Sequence, residues 1–362
     1  MASLMSNGKT GADATVAAMD IARCFEIEDQ LSQPIRTLSG GETVKLALAK
    51  TSIGLATCSR VVVASPFTWL SEANRHLLNT IVTQAGEKQK QISLLTLTGE
   101  GDLAPIGDTD PFLAPSPAAI PFHLNLSEVR IPLSVSLHPL AAEAAHASIE
   151  NSSLTLSSPC LMVGDNGQGK SLLARTMAKA ISFKGQVVID SPEPERPPCL
   201  LFQDVLTQTM LRSFPALSSA MTGKQGKRIH KCYRDIQQHY AAALERLPGN
   251  AIPLIGDFKN HRHSLLDTKT ILVAARLSAR PAALILDEPD WGMSRPSAIA
   301  FVSAVLSAAH HQETPVLLIS HKPWWRSMVH SCIRVTRSVG KHRGTTTPPV
   351  FTISLAMQEG LS

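Results

Sequence analysis

Short apolar runs alternate with longer segments of helical period along most of the chain. Near the start, Val16, Ala17, Met19, Ile21 and Ala22 recur at helical spacing. An Ala-rich apolar helix is expected from Thr43 to about Thr51. The run Val61-Val62-Val63 within residues 60–66 predicts a short buried strand. A helix from Glu72 to about Gln84 follows, then a second apolar strand over 92–98. A new series opens at Phe122. Alternating apolar residues over 122–126 and again over 129–135 predict two β-strands. Further strands are expected at 160–163, 185–190, 200–204, 282–289 and 316–321. Helical stretches follow at 172–180, across much of 205–280, and from Pro296 to about His310. The chain end holds short strand patterns and a Gly/Thr/Pro turn region. Strands alternating with helices predict an α/β protein.

Gly99, Gly101, Pro105, Gly107, Pro111, Pro115, Pro117 and Pro121 break this pattern between the two series. They predict a semi-stiff, exposed linker over 101–121. The expected organisation is therefore a unit over 1–100, the linker, and a larger unit over 122–362.

Composition adds bounds. A hydrophobic content of 44% supports real cores, while 4% aromatics points to aliphatic packing. A net charge of +5 is modest and scattered, without the clustered Lys/Arg of a nucleic-acid footprint, so nucleic acid is not an expected partner. The basic face Lys224, Lys227, Arg228, Lys231 and Arg234 reads as a solvated helix surface. Six cysteines without a C-x-x-C pair read as reduced, mostly buried thiols of a cytosolic protein. The first residues lack the apolar core of a signal peptide, and no apolar run has the length of a membrane span.

Gly164-Asp165-Asn166-Gly167-Gln168-Gly169-Lys170-Ser171 fits G-x-x-x-x-G-K-[ST], with an apolar strand before it and a helix after it. That context is what a phosphate-binding loop needs. Glycines let backbone N–H groups turn inward, and the helix start adds partial positive charge. Amides of Gly164, Asn166, Gly167 and Gly169 would line the phosphates. Lys170 would reach the β- and γ-phosphates, and Ser171 would ligate Mg²⁺. Ser39-Gly40-Gly41-Glu42 before a helix is a second anion-binding arrangement. Asp287-Glu288 closes an apolar strand in two carboxylates, and His321 closes another. Histidines 261, 263, 310 and 311 read as exposed helix or loop residues rather than metal ligands.

Together these residues resemble the nucleotide-binding domain of ABC ATPases. Gly164–Ser171 matches the Walker A loop, Gln203 the Q-loop glutamine, 284–288 the Walker B strand with its glutamate, and His321 the switch histidine. The resemblance implies a P-loop NTPase fold of the ABC cassette type, a mixed sheet flanked by helices with a helical subdomain. The patterns around Gln203 and Ser39 look most like ATPases of energy-coupling micronutrient importers. The family's signature is degenerate in this cassette: at His263-Ser264-Leu265-Leu266-Asp267, leucines replace both glycines. Leucine there would block close approach of backbone to phosphate. No adenine-stacking aromatic is evident upstream of Gly164, and His138 is a poor stand-in.

The first hundred residues supply the complement. Ser39–Gly41 matches the signature well. Ala64 stands 25 positions after Ser39, and Asp287 stands 23 after Ser264. Gly99 stands 35 after Ala64, and His321 stands 34 after Asp287. The two stretches look like copies, the first lacking a phosphate loop and both Walker B carboxylates. ABC cassettes pair head to tail, which implies one composite ATP site. Lys170, the loop amides, Ser171, Gln203 and Asp287 would hold ATP and Mg²⁺. Glu288, His321 and Gln203 would serve catalysis, with Ser39, Gly40 and Gly41 closing the site. The implied role is the ATPase subunit of an importer on the inner face of the cell membrane. Its partners would be integral membrane subunits, contacted around 203–218, and a second copy or another ABC ATPase. A soluble ABC ATPase acting as a regulatory switch, and a nucleotide-binding module that scarcely hydrolyses, are the alternatives.

Overall fold

The computed structural model describes residues 11–28, 31, 40–55, 57–64, 76–95, 116–132, 146–165, 167–203, 205, 223–246, 254–256, 264–338, 341–342, 345–346 and 349–356. The chain divides into two compact units. One holds 1–102, 135–142 and 165–167; the other holds 103–134, 143–164 and 168–362.

The first unit contains α1 (Gly11–Cys24), α2 (Gly40–Gly54), β1 (Arg60–Ala64), α3 (His76–Glu87) and β2 (Gln91–Leu95). β1 and β2 pair in parallel from Arg60↔Gln91 to Ala64↔Leu95. Phe25, Leu48, Leu77 and Ile81 form its buried core. The helix expected from Glu72 is seen from His76, and residues 65–75 lie outside those described.

The second unit is built on a sheet of β3 (Ile120–Pro132), β4 (His146–Ile149), β5 (Ser152–Ser158), β6 (Cys160–Val163), β7 (Lys184–Asp190), β8 (Cys199–Leu201), β9 (Leu284–Asp287), β10 (Val316–Ile319), β11 (Ser331–Ser338) and β14 (Val350–Leu355). A two-residue hairpin, β12 (Lys341–His342) and β13 (Thr345–Thr346), stands apart from it. The order is β5-β3-β4-β14-β11-β6-β10-β9-β8, with β7 on β3. β11, β6, β10, β9 and β8 run parallel, whereas β3 pairs antiparallel with β4, β5 and β7. The sheet is mixed, and it curls where β3 serves three neighbours.

Helices cover both faces. Leu284, Leu286 and Leu318 face a core shared with α5 (Gly223–Leu244), α6 (Leu265–Leu277) and α7 (Arg295–His310). Ile285, Leu317 and Ile319 face the other core, with Leu173 and Met177 of α4 (Lys170–Met177). Strands buried on both faces carry unbroken apolar runs, which is why β6, β9 and β10 are legible from sequence.

Three findings differ from the sequence pattern. Where two strands are expected, over 122–126 and 129–135, the described residues form one bent strand that runs to Pro132. Its register shifts between Ser127 and Arg130, and Glu128 takes φ 53°. A bulge absorbs the bend without ending the strand. β4 and the serine-rich β5 were not foreseen. The end of the expected linker is engaged: Ser116 Oγ donates to Met328 O at 3.1 Å, His330 Nε2 lies 2.7 Å from Pro117 O, and β3 starts at Ile120. All six cysteines are free thiols. Cys160, Cys232 and Cys332 are buried, while Cys24 is exposed.

Candidate functional site

Neighbouring parallel strands β6, β10 and β9 end level, with Ile319 opposite both Met162 and Asp287. Loops leaving the carboxyl ends of such strands form the crevice in which α/β proteins bind ligands. The phosphate loop leaves β6, Ser320 and His321 leave β10, and Asp287 and Glu288 leave β9. Gln203 lies two residues beyond β8, the next strand.

The loop conformation needs its glycines. Gly169 has φ 91°, and a Cβ there would lie 2.3 Å from Phe351 Cε1. At Gly164, φ is 156° and a Cβ would lie 2.6 Å from Val335 O. Gly169 precedes the first residue of α4 and places Lys170 at its start. Lys170 is buried, and its Nζ donates to Gly164 O at 2.7 Å. The Gln168 side-chain oxygen accepts from the Arg337 amide, which ties the loop to β11.

Glu288 is held on both oxygens. Ser320 Oγ donates to Oε2 at 3.0 Å, and His321 Nδ1 lies 3.0 Å from Oε1. Its own amide donates to Ile319 O at 2.9 Å. Burial pushes the Glu288 carboxyl up. The charge and hydrogen bond of His321, with Lys170 and Ser320, outweigh burial and hold it below its ordinary value. Asp287 goes the other way. Burial first, then the neighbouring Glu288 charge, push it up to about 6 against the opposing Ser171 hydrogen bond and Lys170 charge. Asp290 is raised by burial and by Glu288.

Three buried polar atoms here have no hydrogen-bond partner: Asp287 Oδ1, Asp290 Oδ1 and His321 Nε2. Buried polar groups are seldom left so, and such a cluster marks where a polar ligand docks. The Ser171 hydroxyl and Asp287 carboxylate, already in contact, are hard oxygen donors of the kind Mg²⁺ takes. The residues present therefore fit a magnesium nucleotide.

Of the residues expected from sequence, Gly164, Gly167, Gly169, Lys170 and Ser171 lie along this loop and helix start. Asp287, Glu288 and His321 lie on the adjoining strand ends. Gly40 and Gly41 open α2 in the first unit. Ser39, Asn166 and His138, and residues 204 and 206–218 of the expected docking region, lie outside those described. Sequence reasoning missed Ser320, whose place beside His321 was a signal, and Asp290, three residues after Asp287. It also missed Phe351, for which no sequence signal exists.

The degenerate signature is closed. Ser264 caps α6 in a reciprocal box: its Oγ accepts from Asp267 N at 3.1 Å, and Asp267 Oδ2 accepts from Ser264 N and Oγ, both at 2.9 Å. The serine proton and a carboxylate thus occupy the helix end where a phosphate would need free donors. Leu265 lies over Gly292, where an added Cβ would meet its Cδ2 at 2.6 Å, and Leu266 is buried in the core.

No family model matches the chain. The chain is 30% identical over 166 residues to the zinc import ATP-binding protein ZnuC of Paracoccus denitrificans, covering 44% of this chain and 57% of the relative. It is 34% identical over 97 residues to the lipoprotein-releasing system ATP-binding protein LolD of Ehrlichia chaffeensis, covering 27% and 40%. The chain thus spans about half the length of the curated relatives it matches. Among solved structures it is similar to the archaeal ribosome recycling factor aABCE1 in complex with the stalk protein aP1. The TM-score is 0.52 at 13% identity, covering 95% of this chain and 69% of that one. A ribosome-bound archaeal Pelota and ABCE1 model gives 0.54 at 13%, covering 93% and 59%. At that identity the likeness speaks for fold alone. Motif order, curated similarity and fold coincide: the chain is similar to ABC ATP-binding proteins in sequence and in architecture.

Proposed function

We propose that the chain is an ATP-hydrolysing subunit of an ABC-type importer with one composite ATP site. The Walker elements of the second unit would form one side. Ser39, Gly40 and Gly41, in the same or a second chain, would form the other. The observation that carries this reading is the closed signature at Ser264–Asp267. A cassette with an assembled Walker side and a self-capped signature helix needs a signature from elsewhere, and the chain carries an intact S-G-G sequence at 39–41.

Phosphoryl transfer asks mainly for positioning and charge stabilisation. Lys170 and the loop amides would hold phosphate oxygens. Ser171, Asp287 and Gln203 would hold Mg²⁺, which supplies charge neutralisation at the β- and γ-oxygens when bound. Glu288 would orient and polarise the attacking water once one of its oxygens leaves Ser320 or His321. The unpartnered His321 Nε2 is the atom available to the γ-phosphate. Importer subunits in the membrane, and a peripheral place on its inner face, follow by analogy with the transport roles in the relatives' names. No helix among the described residues is long and apolar enough to cross a membrane.

ATPase rates of Ser39→Arg and Lys170→Ala, measured beside wild type, test the composite site. Both should lose activity by about a hundredfold or more. A normal rate in Ser39→Arg sinks the composite site. Affinity purification from solubilised membranes tests the transport role, which fails if no integral membrane protein accompanies the chain.

A further inference from the structure

Among the described residues, one group of side chains away from the strand ends has the composition and spacing to hold a metal ion. Asp235 and His239 stand four residues apart on α5, so both lie on one face of that helix. His311 caps the C-terminus of α7, which packs along α5. One ligand atom from each of the three lies within 4.8 Å of the others. His239 Nε2 is 3.4 Å from Asp235 Oδ1, and His311 Nδ1 is 3.8 Å from Asp235 Oδ2. The two imidazole rings are tilted by 55° with centroids 5.0 Å apart.

These separations are long for a charged hydrogen bond. A charged hydrogen bond between imidazole and carboxylate draws the atoms to about 2.7–2.9 Å. Donors around a tetrahedral ion with bonds of about 2.0–2.1 Å stand about 3.3–3.5 Å from one another. The two contacts, one to each Asp235 oxygen, are longer than such a hydrogen bond, and one donor atom from each residue lies within 4.8 Å of the others, close enough for small side-chain rotations to bring them onto one ion. The ligand-bearing helices are also fixed. Ile236 and Tyr240, next to Asp235 and His239, are buried in the core shared with α7. Packing of this kind sets ligand positions before a metal arrives.

We propose that Asp235, His239 and His311 bind one divalent transition-metal ion of the zinc class, clamping α5 to the end of α7. The donor set and its surroundings select the metal. Asp235 and His311 open onto a cleft of about 860 Å³ whose other walls carry Arg196, Lys227, Arg228 and Arg280. That positive field opposes Ca²⁺ and Mg²⁺, which depend on several carboxylates and have little affinity for imidazole. Ions that bond strongly to nitrogen tolerate it. The cleft also gives the ion a path from solvent. Cys232, one turn before Asp235 on the same helix, stays outside the set. Its Sγ accepts from Gln312 Nε2 at 3.3 Å, and burial raises its thiol. Three protein ligands leave a coordination position for water or for an anion drawn into the basic cleft.

Cobalt(II) is the probe, added to untagged full-length chain stripped with chelator, without nucleotide or phosphate. The expected result is one equivalent bound per chain. It should show the intense visible absorption of a four- or five-coordinate site, lost on adding equimolar Zn²⁺. His239→Ala and His311→Ala should each weaken binding at least about tenfold. Zn²⁺ should raise the thermal midpoint of wild type and leave that of the double variant unmoved. The three side chains are partly exposed, so the variants should fold. Asp235→Asn, nearly isosteric, serves as a further variant with one ligand weakened. Absence of saturable one-to-one binding in wild type, or equal affinity in His239→Ala/His311→Ala, overturns the proposal.

Discussion

His321 Nδ1 stands 3.0 Å from Glu288 Oε1, and the bond spans two neighbouring strands at their carboxyl ends. Glu288 sits at φ 45°, a left-handed conformation that costs a residue with a side chain. It is fixed there by its amide bond to Ile319 O and by Ser320 on its second oxygen. His321 and Ser320 thus do two things: they keep the buried carboxyl ionised, and they cover the oxygens a water would need.

Glu288→Gln should therefore retain nucleotide binding and lose turnover by about a hundredfold or more. His321→Ala should lose turnover too, for a different reason: Glu288 would lose its largest charge partner. In His321→Ala the acidic limb of the rate profile should move to higher pH, because burial then acts on Glu288 with less opposition. Steady-state rates against pH, with nucleotide affinity measured in parallel, check both variants. Undiminished turnover in Glu288→Gln would remove that residue from the chemistry.

Gly169 and Phe351 give a second prediction. An added Cβ at Gly169 meets the Phe351 ring at 2.3 Å, and the backbone there has φ 91°. Gly169→Ala should lose nucleotide binding and destabilise the cassette by about 2 kcal/mol or more, from strain and overlap together. Phe351→Leu in that background removes the overlap alone. It should recover part of the stability and little of the binding, read by thermal unfolding and nucleotide titration. Full recovery of both would mean that the left-handed backbone is unimportant to the loop.

The parts of this architecture legible in sequence are those where local chemistry and global burial demand the same residues. β6, β9 and β10 are buried on both faces, so they read as continuous apolar runs, and the left-handed backbone of the phosphate loop calls for glycine in a short local pattern. β5 was illegible because Ser152, Ser153, Ser157 and Ser158 carry a strand pattern in polar residues. β3 reads as two strands because a bulge interrupts the alternation without interrupting the strand. The contact of Phe351 with Gly169 joins residues far apart in sequence and leaves no local trace. The sequence marks His311 as an exposed residue. It is exposed, and only the packing of α5 on α7 brings it to Asp235 and His239.

Lys269 supplies a pH dependence. It is almost wholly buried, and its Nζ donates to Pro289 O at 2.6 Å and Trp291 O at 2.7 Å, supporting the loop after Glu288. Burial lowers it from 10.5 to about 7, against the opposing charges of Asp290 and Glu288. Between those values the unfolded chain holds a proton that the folded chain has released. The stability contribution of this group therefore rises with pH from about 7 to about 10.5 and is flat below. Chemical denaturation at pH 7 and pH 9 should show a larger rise in wild type than in Lys269→Gln. Lys269→Met should cost about 2 kcal/mol, because two main-chain carbonyls lose their donor. Equal pH slopes in wild type and Lys269→Gln would show that Lys269 titrates normally.

Asp267 tests whether the closed helix end is structural. Its Oδ1 accepts from Gly256 N at 2.7 Å, and its Oδ2 accepts from both Ser264 N and Ser264 Oγ. It is buried, so removing it strands three donors as well as the cap. Asp267→Ala should cost about 2 to 3 kcal/mol. Asp267→Asn keeps the shape and most acceptor capacity and should cost about 1 kcal/mol. Neither should change ATP affinity or turnover of the folded protein, because a self-capped α6 offers nothing to phosphate. Denaturant unfolding beside ATPase rates separates the outcomes. A variant that loses turnover while its unfolding midpoint stays in place would return the Ser264 helix to the nucleotide site and leave Ser39–Gly41 without a role.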